Sequence, residues 1–240
     1  MGSLTKQVLG ILTGKVGGCV IRKRYGKYVA YKLPEKVNIS QTPQAKNARA
    51  KFRPMSRFAS YVNSIPELNY IWKKEKVNAS SPYHKILKVN YASFEHNRPT
   101  ISNAISVEGP LFCPVTGSSV NSKGFRVEML INEGASFLKN NIKEVMGIGV
   151  VCFYDPPNKR KEYFTLSKII LESVSLVMGK PFEIFLPFDE EEKEYYALYK
   201  TCILYFTLVT KDKNGIPLGY CMSYSNEFMR AAKTVRKVKQ

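Results

Sequence analysis

Histidine is almost missing from this chain. Its 240 residues hold two, His84 and His96, and one tryptophan. The five cysteines (Cys19, Cys113, Cys152, Cys202 and Cys221) are far apart, and no two form a Cys-x-x-Cys pair. Two histidines and scattered thiols do not make the clustered ligand set of a zinc framework, so no metal is expected. An odd number of dispersed cysteines, with Cys152 and Cys202 inside apolar runs, points to free buried thiols and a reducing compartment. Long apolar runs are absent too. None approaches the roughly 20 residues that a membrane helix needs, and Val8–Thr13 is too short for a signal core and is broken by Gly10. The expectation is a chain without a membrane span, cytoplasmic when synthesised. Association with a virion or particle outside the cell would require lysis or a dedicated machine.

Catalytic signatures are also lacking. Gly10-Ile11-Leu12-Thr13-Gly14-Lys15 places three residues between glycines where a phosphate loop needs four. Val16 then stands where a hydroxyl would hold magnesium. Neither histidine has a positioned partner in the sequence pattern. Asp189–Glu192 with Glu194 lacks the calcium-loop spacing. This acidic run reads as a solvated connector between strands, or as a docking patch for another subunit's basic arm. The sequence therefore assigns no catalytic residue and no cofactor, and the chain reads as a non-enzyme.

What the sequence has in excess is positive charge. There are 37 Lys and Arg against 19 Asp and Glu, a net charge of +18. Residues 1–60 carry 13 basic residues and one acid, whereas residues 101–229 carry 13 and 15. Residues 230–240 add five more basic residues and no acid. A near-neutral body with basic ends points to a polyanion or an acidic partner surface, against the plainer alternative of a solubility device. A hydrophobic content of 44% and an aromatic content of 12% suffice for a real core.

The expected fold is α+β: a basic β-ribbon and helices at the N-terminus, then a mainly antiparallel β-sandwich, with an immunoglobulin-like arrangement among the options. The expected domains are a Gly-rich basic arm with ribbon and helices over 1–100, a sandwich-like domain over 101–228, and a basic tail over 229–240. Cys19–Arg24 and Tyr28–Lys32 read as hairpin strands around Gly26. Thr42 and Pro43 start a helix to about Asn63, which Pro54 is expected to kink or divide. Helices are also expected over Pro66–Lys76 and after Ser81-Pro82. Strands are expected over Ile101–Glu108, Phe125–Ile131, Val145–Tyr154, Tyr163–Met178, Phe182–Phe188, Tyr199–Lys211 and Pro217–Tyr224. Asn214-Gly215 marks the last hairpin. Gly134–Lys143 reads as a short helical insertion, and Met229–Lys239 as a basic helix.

The candidate binding residues follow from chemistry. Guanidinium and ammonium groups neutralise phosphates, and exposed tyrosine rings stack on bases. Lys15, Arg22, Lys23, Arg24, Tyr25, Lys27 and Tyr28 of the ribbon, with Arg49, Lys51, Arg53 and Arg57 of the first helix, form that set. The plainer reading is a sheet edge whose charges deter unwanted strand pairing. The expected partners are other subunits of an assembly or the chain itself, with nucleic acid as the alternative. None of the standard RNA- or DNA-binding signatures is present.

One order of features is distinctive. Gly14-Lys15-Val16-Gly17 is followed by the basic hairpin ending before Pro34. Then come Asn38, Thr42-Pro43 and Arg49-Ala50-Lys51-Phe52. Over about residues 10–60 this resembles a family of basic Bacteroidota proteins for which no activity is established, related to phage-like structural components. The basic residue that usually precedes the threonine is missing here. The resemblance implies a structural or assembly role and no reaction.

Overall fold

The computed structural model describes residues 2–3, 14–24, 26–33, 39–95, 98–112, 114–130, 144–158, 162–175, 179–212 and 214–230. Outside them lie Tyr25, His96, the expected helix over 134–143, and the expected basic helix beyond Arg230. The chain divides into two units, Met1–Lys46 and Asn47–Gln240. The boundary falls inside the first helix and not near residue 100.

The N-terminal unit contains a four-stranded antiparallel sheet. Its strands are β1 (Gly2–Ser3), β2 (Gly14–Val16), β3 (Cys19–Arg24) and β4 (Lys27–Lys32), in the order β1-β4-β3-β2. The ribbon is thus wider than the expected hairpin. Gly17, at φ 57°, opens the two-residue turn that lets Val16 pair with Cys19; such tight hairpins need positive φ, which glycine adopts without strain.

Helix α1 (Pro43–Ser64) begins as expected, with Thr42 Oγ1 accepting from the Ala45 N–H at 3.3 Å. Pro54 lies inside α1 but does not divide it. Met55, Phe58, Ala59 and Val62 are buried on one side of it. Helix α2 (Pro66–Lys74) buries Leu68, Ile71 and Trp72, and α3 (Pro82–Asn90) buries Ile86 and Leu87.

These helices cover one face of a five-stranded antiparallel sheet built from β7 (Glu144–Tyr154), β8 (Phe164–Leu171), β10 (Thr201–Lys211), β11 (Pro217–Tyr220) and β12 (Tyr224–Met229). Both β11 and β12 pair with β10. A three-stranded sheet of β5 (Val115–Asn121), β6 (Gly124–Leu130) and β9 (Pro181–Pro187), in the order β5-β6-β9, packs on the other face. The layers are therefore helices, sheet and sheet. Ile148, Val150, Cys152, Ile203 and Tyr205 meet the helices. Val151, Phe153, Leu204, Phe206 and Leu208 meet Phe125, Val127 and Leu186 of the second sheet. Alternate residues of β7 and β10 thus serve two separate cores, as the period-two geometry of a strand requires. The helices cannot be set apart from the sandwich as a 1–100 domain, because their apolar faces are buried against its sheet.

Several expected elements differ. Ile101–Glu108 is irregular, not a strand. Its backbone is held by side chains: the Trp72 indole donates to the Ile105 carbonyl at 2.8 Å, the Tyr205 hydroxyl to Thr100 at 2.6 Å, and the Asn90 amide to Ala104 at 3.0 Å. The run from Pro217 to Tyr224 ends one strand and begins another. The strand expected over Tyr163–Met178 is the shorter β8. The acidic run is not a bare connector but starts helix α4 (Glu190–Leu198), where Asp189 and Glu192 form a reciprocal capping box.

Candidate polyanion interface

The ribbon displays its cations on both faces. Cross-strand partners share a face, so the register sets Lys15, Arg22 and Lys27 on one side with Val20, Val29 and Tyr31. Lys23, Tyr28 and Lys32 share the other with Ile21 and Ala30. The Arg22 guanidinium lies 5.1 Å from the Tyr31 ring, and the Lys23 ammonium 5.9 Å from the Tyr28 ring, the spacing of cation–π contacts. Arg24 pairs with Lys27 through its backbone; its side chain, like Tyr25, lies outside the described residues.

Helix α1 has no acidic residue along its length. Arg49, Arg53 and Arg57 recur every four residues, drifting by about 40° per step, and so form a stripe on the side away from the buried Met55, Phe58 and Val62. The five cations of the helix are not equivalent. Arg57 is committed to the fold: it bonds the Glu162 carboxylate at 2.7 Å and the Phe164 carbonyl at 3.2 Å, and its guanidinium stands 5.1 Å from the Phe164 ring. Lys51 lies 4.8 Å from the Tyr91 ring. Arg53 and Arg49 remain exposed on the stripe.

A concavity of about 570 Å³ opens beside this stripe, lined by Ala50, Arg53, Pro54, Arg57, Glu162, Tyr163 and Phe164. Sequence reasoning singled out its two arginines but missed Tyr163, because nothing in the sequence places the start of β8 against α1. A second concavity of about 430 Å³ is lined by Pro110, Leu111, Phe112, Met222 and Tyr224, with Phe112 83% exposed.

Other polar clusters serve the fold. The Lys85 ammonium donates to the Lys73 carbonyl at 3.0 Å and to that of Glu75, closing the end of α2. Exposed His84 has Nδ1 2.7 Å from Ser81 Oγ, at the cap of α3. Glu192 is buried at the base of α4, taking bonds from Ser167 Oγ and, at 2.7 Å, from the Asp189 N–H. Burial pushes its carboxyl above the ordinary value. Tyr61 is pushed up to about 12, first by burial and then by the Glu192 charge. Burial also raises the thiols of Cys152 and Cys202, the latter to about 12. Thiols so raised remain protonated and unreactive at neutral pH. Among the described residues no cluster of three or more His, Cys, Asp or Glu could hold a metal ion, and no helix is long and apolar enough to cross a membrane.

No protein-family model, no curated protein and no solved structure matches this chain.

Proposed function

We propose that the chain is a non-catalytic assembly protein whose basic N-terminal ribbon joins neighbouring subunits or a polyanion. One observation carries this reading: none of the described side chains of Met1–Lys46 is buried. Strands β3 and β4 pair over their full six residues, yet Val20, Ile21, Val29 and Tyr31 stay only half-covered. A sheet whose described side chains are this thinly covered is marginal by itself and gains stability when a partner covers it. The resemblance of residues 10–60 to a family of basic Bacteroidota proteins, whose kind of start also occurs in phage-like structural components, supports the same role.

The second reading is a stand-alone nucleic-acid-binding protein. The acid-free helix α1 with its arginine stripe favours it, since neutralising phosphates releases counterions and gives salt-dependent affinity.

Light scattering behind size exclusion, on nuclease-treated full-length chain at low and high salt, separates the two. Assembly predicts salt-stable particles several times the 27.3 kDa monomer, free of nucleic acid. It also predicts their loss when Lys15, Arg22, Lys23 and Lys27 are replaced by Glu. A monomer that sheds nucleic acid at high salt supports the second reading. A monomer that holds no nucleic acid at any salt overturns both.

A further inference from the structure

The concavity beside α1 brings together two kinds of group that fit one class of ligand. We propose that it binds a single unpaired nucleotide, with Arg53 on the phosphate and Tyr163 stacked on the base. The inference rests on the nucleic-acid reading of the basic segment and gives that reading a specific site.

Arg57 and Glu162 form a fixed wall. Their charges are satisfied by each other at 2.7 Å, and the Arg57 guanidinium is held further by the Phe164 carbonyl and ring. Glu162 is therefore balanced by Arg57, and Arg53 leaves the lining with one net positive charge. Arg53, one helical turn before Arg57, is exposed and has no ion-pair partner among the described residues. Its planar fork matches a phosphate group. Tyr163, 42% exposed on the same lining, offers an aromatic face, and base stacking on such faces tolerates any sequence.

A cation and a π-surface together match the phosphate and the ring of a nucleotide. Inorganic phosphate would use only the first. A volume of about 570 Å³ lies within the range of small-molecule sites, and stacking on Tyr163 needs an open base face, which a duplex covers with its own stack. The nucleotide is thus either free or one unit of a single strand.

The test is fluorescence anisotropy on the full-length chain, with a labelled oligothymidylate of about 15 nucleotides and a duplex of the same length. The single strand is expected to bind more tightly than the duplex. Arg53→Glu and Tyr163→Ala should each weaken it about tenfold, the scale of one lost stacking or phosphate contact. Both residues are exposed, so the fold should survive, which the fluorescence of buried Trp72 checks. Competition by adenosine monophosphate identifies a free nucleotide as ligand; failure to compete identifies the strand. If both variants bind within twofold of the parent while Arg22→Glu with Lys23→Glu abolishes binding, the polyanion reading stands and this site is wrong. Equal affinity for single strand and duplex also overturns the site. No binding by the parent chain overturns site and nucleic-acid reading together.

Discussion

Lys211 at the end of β10 and Glu67 in the first turn of α2 meet at 2.9 Å, with side chains only 17% and 15% exposed. The pair clamps the helix layer to the central sheet where solvent screens it little. Glu67 also sits where the helix N-terminus favours a negative charge. Removing one partner strands the other charge in a mostly buried place. Lys211→Ala or Glu67→Ala should each cost about 2–3 kcal/mol, somewhat below the range for fully buried pairs. The double variant should cost less than the sum of the two. Urea denaturation followed by the fluorescence of Trp72 measures all three.

The Asp189–Glu192 capping box carries opposed pH effects. Burial raises the Glu192 carboxyl above its ordinary 4.5, whereas hydrogen bonding from the Glu192 backbone N–H, chief among several causes, lowers that of Asp189 below 3.8. At Glu192 the folded chain holds its proton more tightly than the unfolded one. This group's contribution is greatest below its ordinary value and falls as pH rises through the raised folded value. The Asp189 contribution runs the other way: it is present at neutral pH and is lost on acidification below its ordinary value. Glu192→Gln keeps an acceptor for the Asp189 N–H and removes the titration. Relative to the parent, the variant should gain stability as pH rises from the ordinary 4.5 through the raised folded value of Glu192. Thermal melts of both proteins across that interval give the difference directly.

Gly109 lies where two backbones nearly touch. A Cβ there would stand 2.1 Å from the Tyr220 carbonyl oxygen, which already accepts from the Leu111 N–H at 3.2 Å. The clash is with main chain, so a side-chain rotation cannot relieve it. Gly109→Ala should cost more than about 2 kcal/mol and loosen the segment from Gly109 to Leu111 from β11. Hydrogen exchange at the Leu111 amide should accelerate in the variant.

How far the fold could be read from the sequence depended on what each element is packed against. Strands β7 and β10 were legible because both faces are covered, so their sequences are almost continuously apolar. Strand β5 escaped notice because Val115-Thr116-Gly117-Ser118-Ser119-Val120-Asn121 is largely polar. It is an edge held through hydroxyls, with Ser118 Oγ 3.0 Å from the Tyr224 hydroxyl and 3.1 Å from the Asn226 amide. The start of α4 was legible in principle, since Asp189-Glu190-Glu191-Glu192 is a capping-box sequence; the dense negative charge drew attention instead. Ile101–Glu108 alternates like a strand, but Asn103 Oδ1 accepts from the Thr100 N–H at 2.6 Å and turns the chain locally. Of the binding residues, the cations are plain in the sequence. That Arg57 is tied to Glu162 while Arg53 is left beside Tyr163 depends on contacts more than a hundred residues apart, which no local pattern encodes.

Cys19 gives a direct test of the ribbon as an assembly surface. It is exposed on β3, whereas Cys152, Cys202 and Cys221 are buried in the body. An exposed thiol reacts readily, and a buried one must wait for local opening. With Cys113 replaced by Ser, a single thiol should therefore react quickly in the isolated subunit. If the ribbon is the surface that neighbours cover, Cys19 should become protected as the chain associates. Its labelling rate should fall with protein concentration, while the three buried thiols stay silent until denaturant is added. Charge reversal at Arg22 and Lys23 should restore fast labelling at every concentration. A rate that ignores concentration in a chain shown by light scattering to be associated would place the contact elsewhere, and the exposed apolar concavity around Phe112 would be the next surface to probe.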